Sequence, residues 1–458
     1  MKTNKFAVRL LLNCQKDAIY SWHLQRSCFS RSLPSWERAT VLSTEELPGR
    51  QVRVHVIFQR SFLRKIKAVF RIHYPIGGQL IRIKEESGTV KSLDFQIEIK
   101  SLGENLYELL ERVDYTLVCP WFLPKYRKRR YEKRFQRFFE YKHEIMLRDL
   151  EMLKNPVKSL KILVTGSNGL IGSNLSELLL TMGHQVSNLV RRPQDVRLLT
   201  DIFYNTETGE VNRSQLEGFD AVVHLWGKSI QGSWSKKNKQ EMLKSRSETT
   251  KQLSKILASL QSPPKVFLCA SAIGYYGDHG SNLIDEKTAP NPHSFLGEVC
   301  KAWESSSDFL KVHGIRVVHL RFGVVLSSKK GALYELVKLI RRGFGAVLGT
   351  GNQYMSWIAI DDAALAIYHA VLHAELNGPI NVTSPNPIKN CEFISEISNY
   401  LQKPLGPTIP ASILRLLKGE MADELLLTSA KVYPRKLLES GFEFQYPTLE
   451  KALPHLVL

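Results

Sequence analysis

The sequence predicts an α/β chain, a doubly wound parallel sheet preceded by a smaller α+β unit. Three observations predict it. Lys161–Thr165 is an aliphatic, β-branched run that ends in T-G-x-x-G-x-x-G, and an apolar-periodic helix (Leu170, Ile171, Leu175, Leu178, Leu179) starts inside the glycine turn. Upstream, residues 1–158 alternate apolar and polar positions as a β-meander and end in one long helix. Charge divides at the same place: 31 lysines and arginines face 17 aspartates and glutamates in residues 1–158, so +14 of the net +19 lies there.

At 458 residues the chain is too long for one ordinary core, and a hydrophobic content of 43% lets each of two or three domains bury its own. Asn155-Pro156-Val157-Lys158 reads as the linker between the first domain, 1–155, and the rest. The cysteines (Cys14, Cys28, Cys119, Cys269, Cys300, Cys391) are scattered with no C-x-x-C, which implies neither a disulfide framework nor a zinc site. Arg9 breaks the N-terminal apolar run, no small-residue cleavage site follows it, and no span approaches eighteen apolar residues. The expectation is a soluble, cytoplasmic protein.

In the first unit, Val52, Val54 and Val56 alternate with Arg53 and His55. Similar alternation runs through Leu80–Lys84, Phe95–Ile99 and Tyr107–Leu117, with turns at Ser87-Gly88 and Gly103-Glu104-Asn105. Phe135, Phe138, Phe139, Ile145, Met146 and Leu150 recur at three and four residues, so Tyr131–Leu153 is a helix of roughly 35 Å. The block from Lys125 to Arg137 is the most basic in the chain. It reads as a solvated loop and the outer face of that helix; nucleic acid is disfavoured because no nucleic-acid motif accompanies the charge, and an anionic membrane surface is a third reading.

A curved antiparallel sheet closed over one long helix leaves a cavity. Trp22-His23, the run Cys28–Glu37, Val113-Asp114-Tyr115 and Phe139-Tyr141-His143 with Asp149-Leu150 resemble the START-like helix-grip (SRPBCC) domains. The resemblance covers about the first 155 residues and implies an apolar-ligand cavity, without naming the ligand.

In the second unit the glycines have a chemical reason. A dinucleotide pyrophosphate needs backbone N–H groups at a helix N-terminus with no Cβ in the way: Gly166 makes the tight turn, Gly169 lets the backbone approach, and Gly172 packs helix on strand. Thr165, Asn168, Leu170 and Ile171 complete the expected cofactor loop. The next strand, Gln185–Val190, is followed by Arg191-Arg192-Pro193, where an NAD-preferring fold would place an acid for the ribose 2′-hydroxyl. Two arginines suit a 2′-phosphate, because their planar forks donate paired charge-assisted hydrogen bonds, so NADP(H) is expected over NAD(H). Strands follow at Ile202–Tyr204, Ala221–Leu225 and Val266–Ala270, with an amphipathic helix at Ser235–Leu260 before the last.

Together T-G-S-N-G-L-I-G, Asp220–Gly227, Ser245-Arg246, Ser271–Asp278, Leu320–Leu326 and Ser356–Asp362 resemble the epimerase-like, atypical short-chain dehydrogenase/reductases. Pro410-Ala411, Gly419-Glu420, Pro434–Leu438 and Gly441–Phe444 resemble the C-terminal extension of one subfamily. The resemblance implies an extended Rossmann fold over 159–395 and an extension over 396–458 that closes over the nicotinamide. It adds Leu225, Trp226, Gly227 and Arg246 to the cofactor residues.

Active members of that superfamily pair a serine or threonine with Tyr-x-x-x-Lys, the lysine lowering the tyrosine pKa so that it exchanges a proton as hydride moves. Here Phe295 and Val299 stand at those positions, and Lys301 is about 200° around the helix from 299. Ser271 keeps the serine position, and Tyr275 or Tyr276 is the candidate proton donor, unless both are pocket wall. Trp226 replaces the usual small residue, Ala359 the usual histidine and Asn352 the usual arginine; the tryptophan must stack on a cofactor or crowd it. Two function classes follow. One is an NADP(H)-dependent oxidoreductase or epimerase acting on a small or amphipathic substrate, and the other is a non-catalytic NADP(H)-binding protein.

Overall fold

A computed structural model of the chain describes residues 3–25, 27–59, 65–74, 80–88, 92–116, 124–196, 200–230, 232–291 and 293–458, with the backbone alone at 124–127. Leu117 and Cys119 lie outside the described residues, as do the side chains of Lys125, Tyr126 and Arg127. The contacts define two compact units, in the main Met1–Lys158 and Ser159–Val457.

The first unit is one antiparallel sheet. Its strands are β1 (Asn4–Asn13), β2 (Ala39–Leu47), β3 (Gln51–Gln59), β4 (Lys65–His73), β5 (Leu80–Ser87), β6 (Ser92–Gly103) and β7 (Leu106–Thr116), in the order β1-β7-β6-β5-β4-β3-β2. From β2 to β7 each strand pairs with the next, the meander expected from alternation; the β6–β7 turn uses Asn105 at φ 57°, a left-handed position that asparagine tolerates. β1 was not expected. Phe6, Val8, Leu10 and Leu12 turn inward while Lys5, Ala7, Arg9 and Leu11 face out, so the segment that resembles a broken signal sequence pairs with β7 over ten residues.

Helix α1 (Lys16–Leu24) follows β1, and α2 (Pro124–Leu153) closes the unit. α2 begins earlier than the apolar period suggests, because proline suits a first helical turn and the lysines and arginines after it are good helix formers. Lys128, Arg129 and Arg130 are exposed, but Arg134 turns inward to Glu37, its Nε 2.7 Å from the carboxylate. Phe139, Ile145, Met146 and Leu150 pack on the sheet. The motif residues scattered along this unit converge on Asp149, which is fully buried: Trp22 Nε1 donates to it at 3.1 Å, and the Arg31 guanidinium donates twice, at 2.6 and 2.7 Å. Glu111 is similarly enclosed. Burial alone would raise its pKa, but the Lys142 charge and the His143 hydrogen bond outweigh that and hold it at about 2.

The second unit is a parallel sheet of β8 (Lys161–Thr165), β9 (Gln185–Val190), β10 (Ile202–Phe203), β11 (Ala221–His224), β12 (Val266–Ala272), β13 (Arg316–Phe322) and β14 (Gly378–Val382). The order is β10-β9-β8-β11-β12-β13-β14, every pair parallel. β11 is buried along its whole length, as a strand covered on both faces must be. Helices α3 (Leu170–Thr181), α4 (Lys236–Ala258) and α5 (Phe295–Ser305) link the strands, with Ser235 and Ser294 capping the last two. The order turns back between β8 and β11, which opens a crevice at their carboxyl ends.

The C-terminal segment is sewn to α6 (Ile360–Leu372). Asp362 accepts from the backbone N–H groups of Gln445 and Tyr446 at 3.0 and 2.9 Å, and Asp361 lies 2.9 Å from His455 Nε2. Among the described residues no helix is long and apolar enough to cross a membrane.

Candidate active site

The two strands flanking the crevice are joined by buried hydroxyls. His224 Nδ1 lies 3.1 Å from Thr165 Oγ1 and its Nε2 lies 3.0 Å from Thr250 Oγ1, while Thr165 also accepts from the Leu225 N–H at 3.0 Å. Burial pushes the His224 pKa down to about 3, so the ring is a neutral bridge. Thr165, expected in the cofactor loop, therefore serves as the strut beneath it; its side chain is fully buried.

The glycines stand where a side chain cannot. Gly166 has φ 71°, and a Cβ on it would sit 3.0 Å from the Leu225 carbonyl oxygen. A Cβ on Gly172 would lie 2.3 Å from the Gly166 carbonyl oxygen. Since that contact is backbone, Gly172→Ala should push the loop off the helix and destabilise the unit by about 1–3 kcal/mol, read by urea denaturation. A change under about 0.5 kcal/mol would show the loop to be plastic. Gly169 and Asn168 are exposed at the mouth, and Leu170 and Ile171 are half-buried against the apolar cluster containing Leu326 and Trp357.

Arg191 and Arg192 are exposed just beyond β9. Trp226, expected to stack on a cofactor or crowd it, is 5% exposed and already stacked on Tyr204, with ring centroids 5.6 Å apart and 5° between planes. The Arg191 guanidinium stands 5.7 Å from its ring centre. Arg246, expected at the cofactor, is buried: its Nη2 donates to the Lys228 carbonyl at 2.8 Å and its Nη1 to Met242 at 3.1 Å. It holds the loop Leu225-Trp226-Gly227 from behind, and a Cβ on Gly227 would crowd the guanidinium at 3.2 Å.

The hydroxyl cluster at the end of β12 is more committed than the sequence suggests. Ser271 Oγ donates to Glu304 at 2.7 Å, Arg321 binds both Glu304 oxygens at 2.8 Å each, Arg321 Nη1 donates to the Tyr276 oxygen at 2.9 Å, and Tyr276 donates to Asn381 at 2.7 Å. Ser271 and Arg321 are 3% and 2% exposed, and Tyr276 is fully buried. Burial drives the Tyr276 pKa upward against the pull of Arg321, so this phenol holds its proton. Tyr275 differs: it is half-buried, with the Arg321 guanidinium 3.5 Å from its ring centre.

At the helix, Phe295 packs edge-on against Trp234 at 5.4 Å, Val299 is 2% exposed, and Lys301 faces solvent, as its turn around the helix requires. Glu304, Arg321 and Asn381 were missed as site residues. An arginine, Arg321, between Leu320 and Phe322 at the end of the largely apolar run from Val317 was the available signal, since a buried charge needs a partner.

Residues 162–383 match the NAD dependent epimerase/dehydratase family, and residues 409–456 match a domain of unknown function, DUF1731. The epimerase family protein Mb2239 of Mycobacterium bovis is 37% identical over 294 residues, 64% of this chain and 96% of that protein. The chain belongs to the epimerase family. YfhF of Bacillus subtilis, another epimerase family protein, is 34% identical over 300 residues and 98% of its own length. The crystal structure of human epimerase family protein SDR39U1 (isoform 2) with NADPH matches at 28% identity and TM-score 0.59, over 65% of this chain and 99% of that one. The fold of both units of this epimerase-family chain recurs in a Corynebacterium glutamicum structure described as a nucleoside-diphosphate sugar epimerase, at 24% identity and TM-score 0.80 over 98% of this chain and 90% of that one.

A second concave feature lies within the first unit. Between β3–β7 and α2 is a cavity of about 150 Å³, lined by Phe58, Phe70, Phe95, Phe135, Phe138 and Phe139 and also by His23, Glu37, Glu111, Arg134 and Lys142.

Proposed function

We propose that the second unit, residues 159–395, binds NADP(H) and works as an oxidoreductase or epimerase on a small or amphipathic substrate, with 396–458 as its closing extension. We read residues 1–155 as a START-like helix-grip domain whose cavity takes an apolar ligand. The observation that carries the cofactor reading is the cradle at the switch point. Gly166 and Gly172 let the loop close on its own backbone, where a Cβ would collide, the N-terminus of α3 follows the loop, and Arg191 and Arg192 stand exposed at the end of β9. Those residues fit a pyrophosphate at the loop and a 2′-phosphate at the arginines. A relative's structure with NADPH supports the same choice.

Bound there, the nicotinamide would supply or accept hydride. The chain's part is to hold the dinucleotide at the loop, keep Ser271 fixed on Glu304, and offer Tyr275 as the accessible phenol. Each charged hydrogen bond to a 2′-phosphate contributes about 1.5–3 kcal/mol, roughly tenfold or more in affinity, so Arg191→Ala or Arg192→Ala should weaken NADPH and spare NADH. Titration calorimetry checks this, and equal NADH and NADPH affinities in the native protein would overturn the preference. A non-catalytic NADP(H)-binding role is the second reading, favoured by Phe295 and Val299 where Tyr and Lys are usual and by the locked hydroxyls of Ser271 and Tyr276.

A further inference from the structure

One buried polar atom among the described residues lining the cavity of the first unit has no partner in the protein. Arg112, Arg134 and Lys142 on its wall each face a protein carboxylate, on Glu98, Glu37 and Glu111 respectively. The Ser32 hydroxyl donates to the Cys28 carbonyl at 2.7 Å. His23 lines the same cavity and is 5% exposed. Among the described lining residues, its Nε2 is the one buried side-chain nitrogen or oxygen without a hydrogen-bond partner.

Geometry fixes the tautomer. Nδ1 is 2.8 Å from the Ile19 carbonyl oxygen, which can only accept, so Nδ1 carries the proton and Nε2 is a bare acceptor. Nδ1 ties the ring back to α1, one turn earlier, and leaves Nε2 as the ring's unpartnered nitrogen. Burial and the nearby Lys142 charge push the His23 pKa down to about 4, keeping the ring neutral near pH 7. An acceptor buried without a donor is destabilising, and an arriving donor removes that cost.

Building on the ligand-cavity reading above, we propose that the ligand of this cavity is a compact apolar alcohol or phenol whose hydroxyl donates to His23 Nε2. The walls are mainly aromatic and aliphatic, and the lining cations Arg112, Arg134 and Lys142 are already paired, so a ligand carboxylate would find no uncommitted cation. The volume suits a single substituted ring, since an engineered apolar cavity of about 150 Å³ takes up benzene.

Two probes of equal shape separate the hydroxyl from the apolar body: p-cresol and p-xylene, titrated into the full-length protein and into His23→Phe. The expected result is that both probes bind, and that the p-cresol to p-xylene affinity ratio falls by roughly tenfold in the variant, the worth of one buried hydrogen bond. A ratio unchanged within twofold while p-xylene still binds overturns the role of His23 and leaves the cavity reading standing. Failure of the native protein to bind either probe overturns both. Should His23→Phe not fold, ¹⁵N-histidine spectra of the native protein decide. The unprotonated ring nitrogen of His23 should shift with p-cresol and not with p-xylene, and identical responses overturn the proposal.

Discussion

Replacing Arg321 by methionine should destabilise the second unit by about 3–5 kcal/mol, a Tm fall of roughly 10 °C, because Glu304 would be left as a buried, unpaired carboxylate. Glu304 is 8% exposed, and besides Arg321 it has only a hydroxyl, that of Ser271, donating to its side chain among the hydrogen bonds seen. Burial alone would lower the Arg321 pKa; the hydrogen bonds and charge of Glu304 reverse the direction and fix the cation. Glu304→Leu should cost a similar amount, stranding the guanidinium. The double variant is the informative one. Removing both charges together should recover much of the loss, since apolar residues of similar volume often replace a buried pair at little cost. Additive losses, measured by urea denaturation of all four proteins, would show that the two side chains are not coupled.

This pair also shows why the site was only half legible in the sequence. Runs buried on both faces announce themselves, and Lys161–Thr165, Gln185–Val190 and the start of α3 fall where aliphatic periodicity and the glycine turn put them. The crevice follows from that order. Glu304 and Arg321 meet because α5 and β13 come together in the fold, and a helix position and a strand position carry no mark in the chain that they will touch. The same holds for Trp22, Arg31 and Asp149, more than a hundred residues apart at the extremes, which family resemblance grouped but periodicity could not. β1 is a different failure. Its alternation was visible, but Leu10, Leu11 and Leu12 run together and mask the period at the end where it is most apolar.

Trp226 illustrates how packing decides a role that composition leaves open. A large ring after β11 looked like a cofactor shelf or an obstacle, yet Tyr204 already stacks on it, so its placement is set before any ligand arrives. Arg191 can then rest near that ring while its donors remain at the crevice edge.

Tyr275→Phe should lower turnover by about 10²–10⁴ while leaving NADPH affinity unchanged, and Tyr276→Phe should cost stability with turnover kept within a few-fold. The structure separates the two tyrosines that the sequence left equivalent. Tyr276 is fully buried and its phenol proton is held by Asn381, so it has neither access to a substrate nor a proton to spare. Tyr275 is half-buried, and the Arg321 guanidinium over its ring, 3.5 Å from the centre, would favour negative charge that develops on the phenol during proton donation. Phenylalanine at 275 keeps that ring contact and removes only the hydroxyl, so a loss of rate cannot be blamed on packing. NADPH oxidation against a panel of carbonyl compounds supplies the readout. The converse arm, Phe295→Tyr with Val299→Lys, asks whether the usual pair can be restored, although the lysine must enter a wall where Val299 is 2% exposed. If that double variant turns over carbonyls that the parent does not, and neither single Tyr→Phe change alters any activity found, the enzyme reading gives way to an NADP(H)-binding protein whose site has been retired.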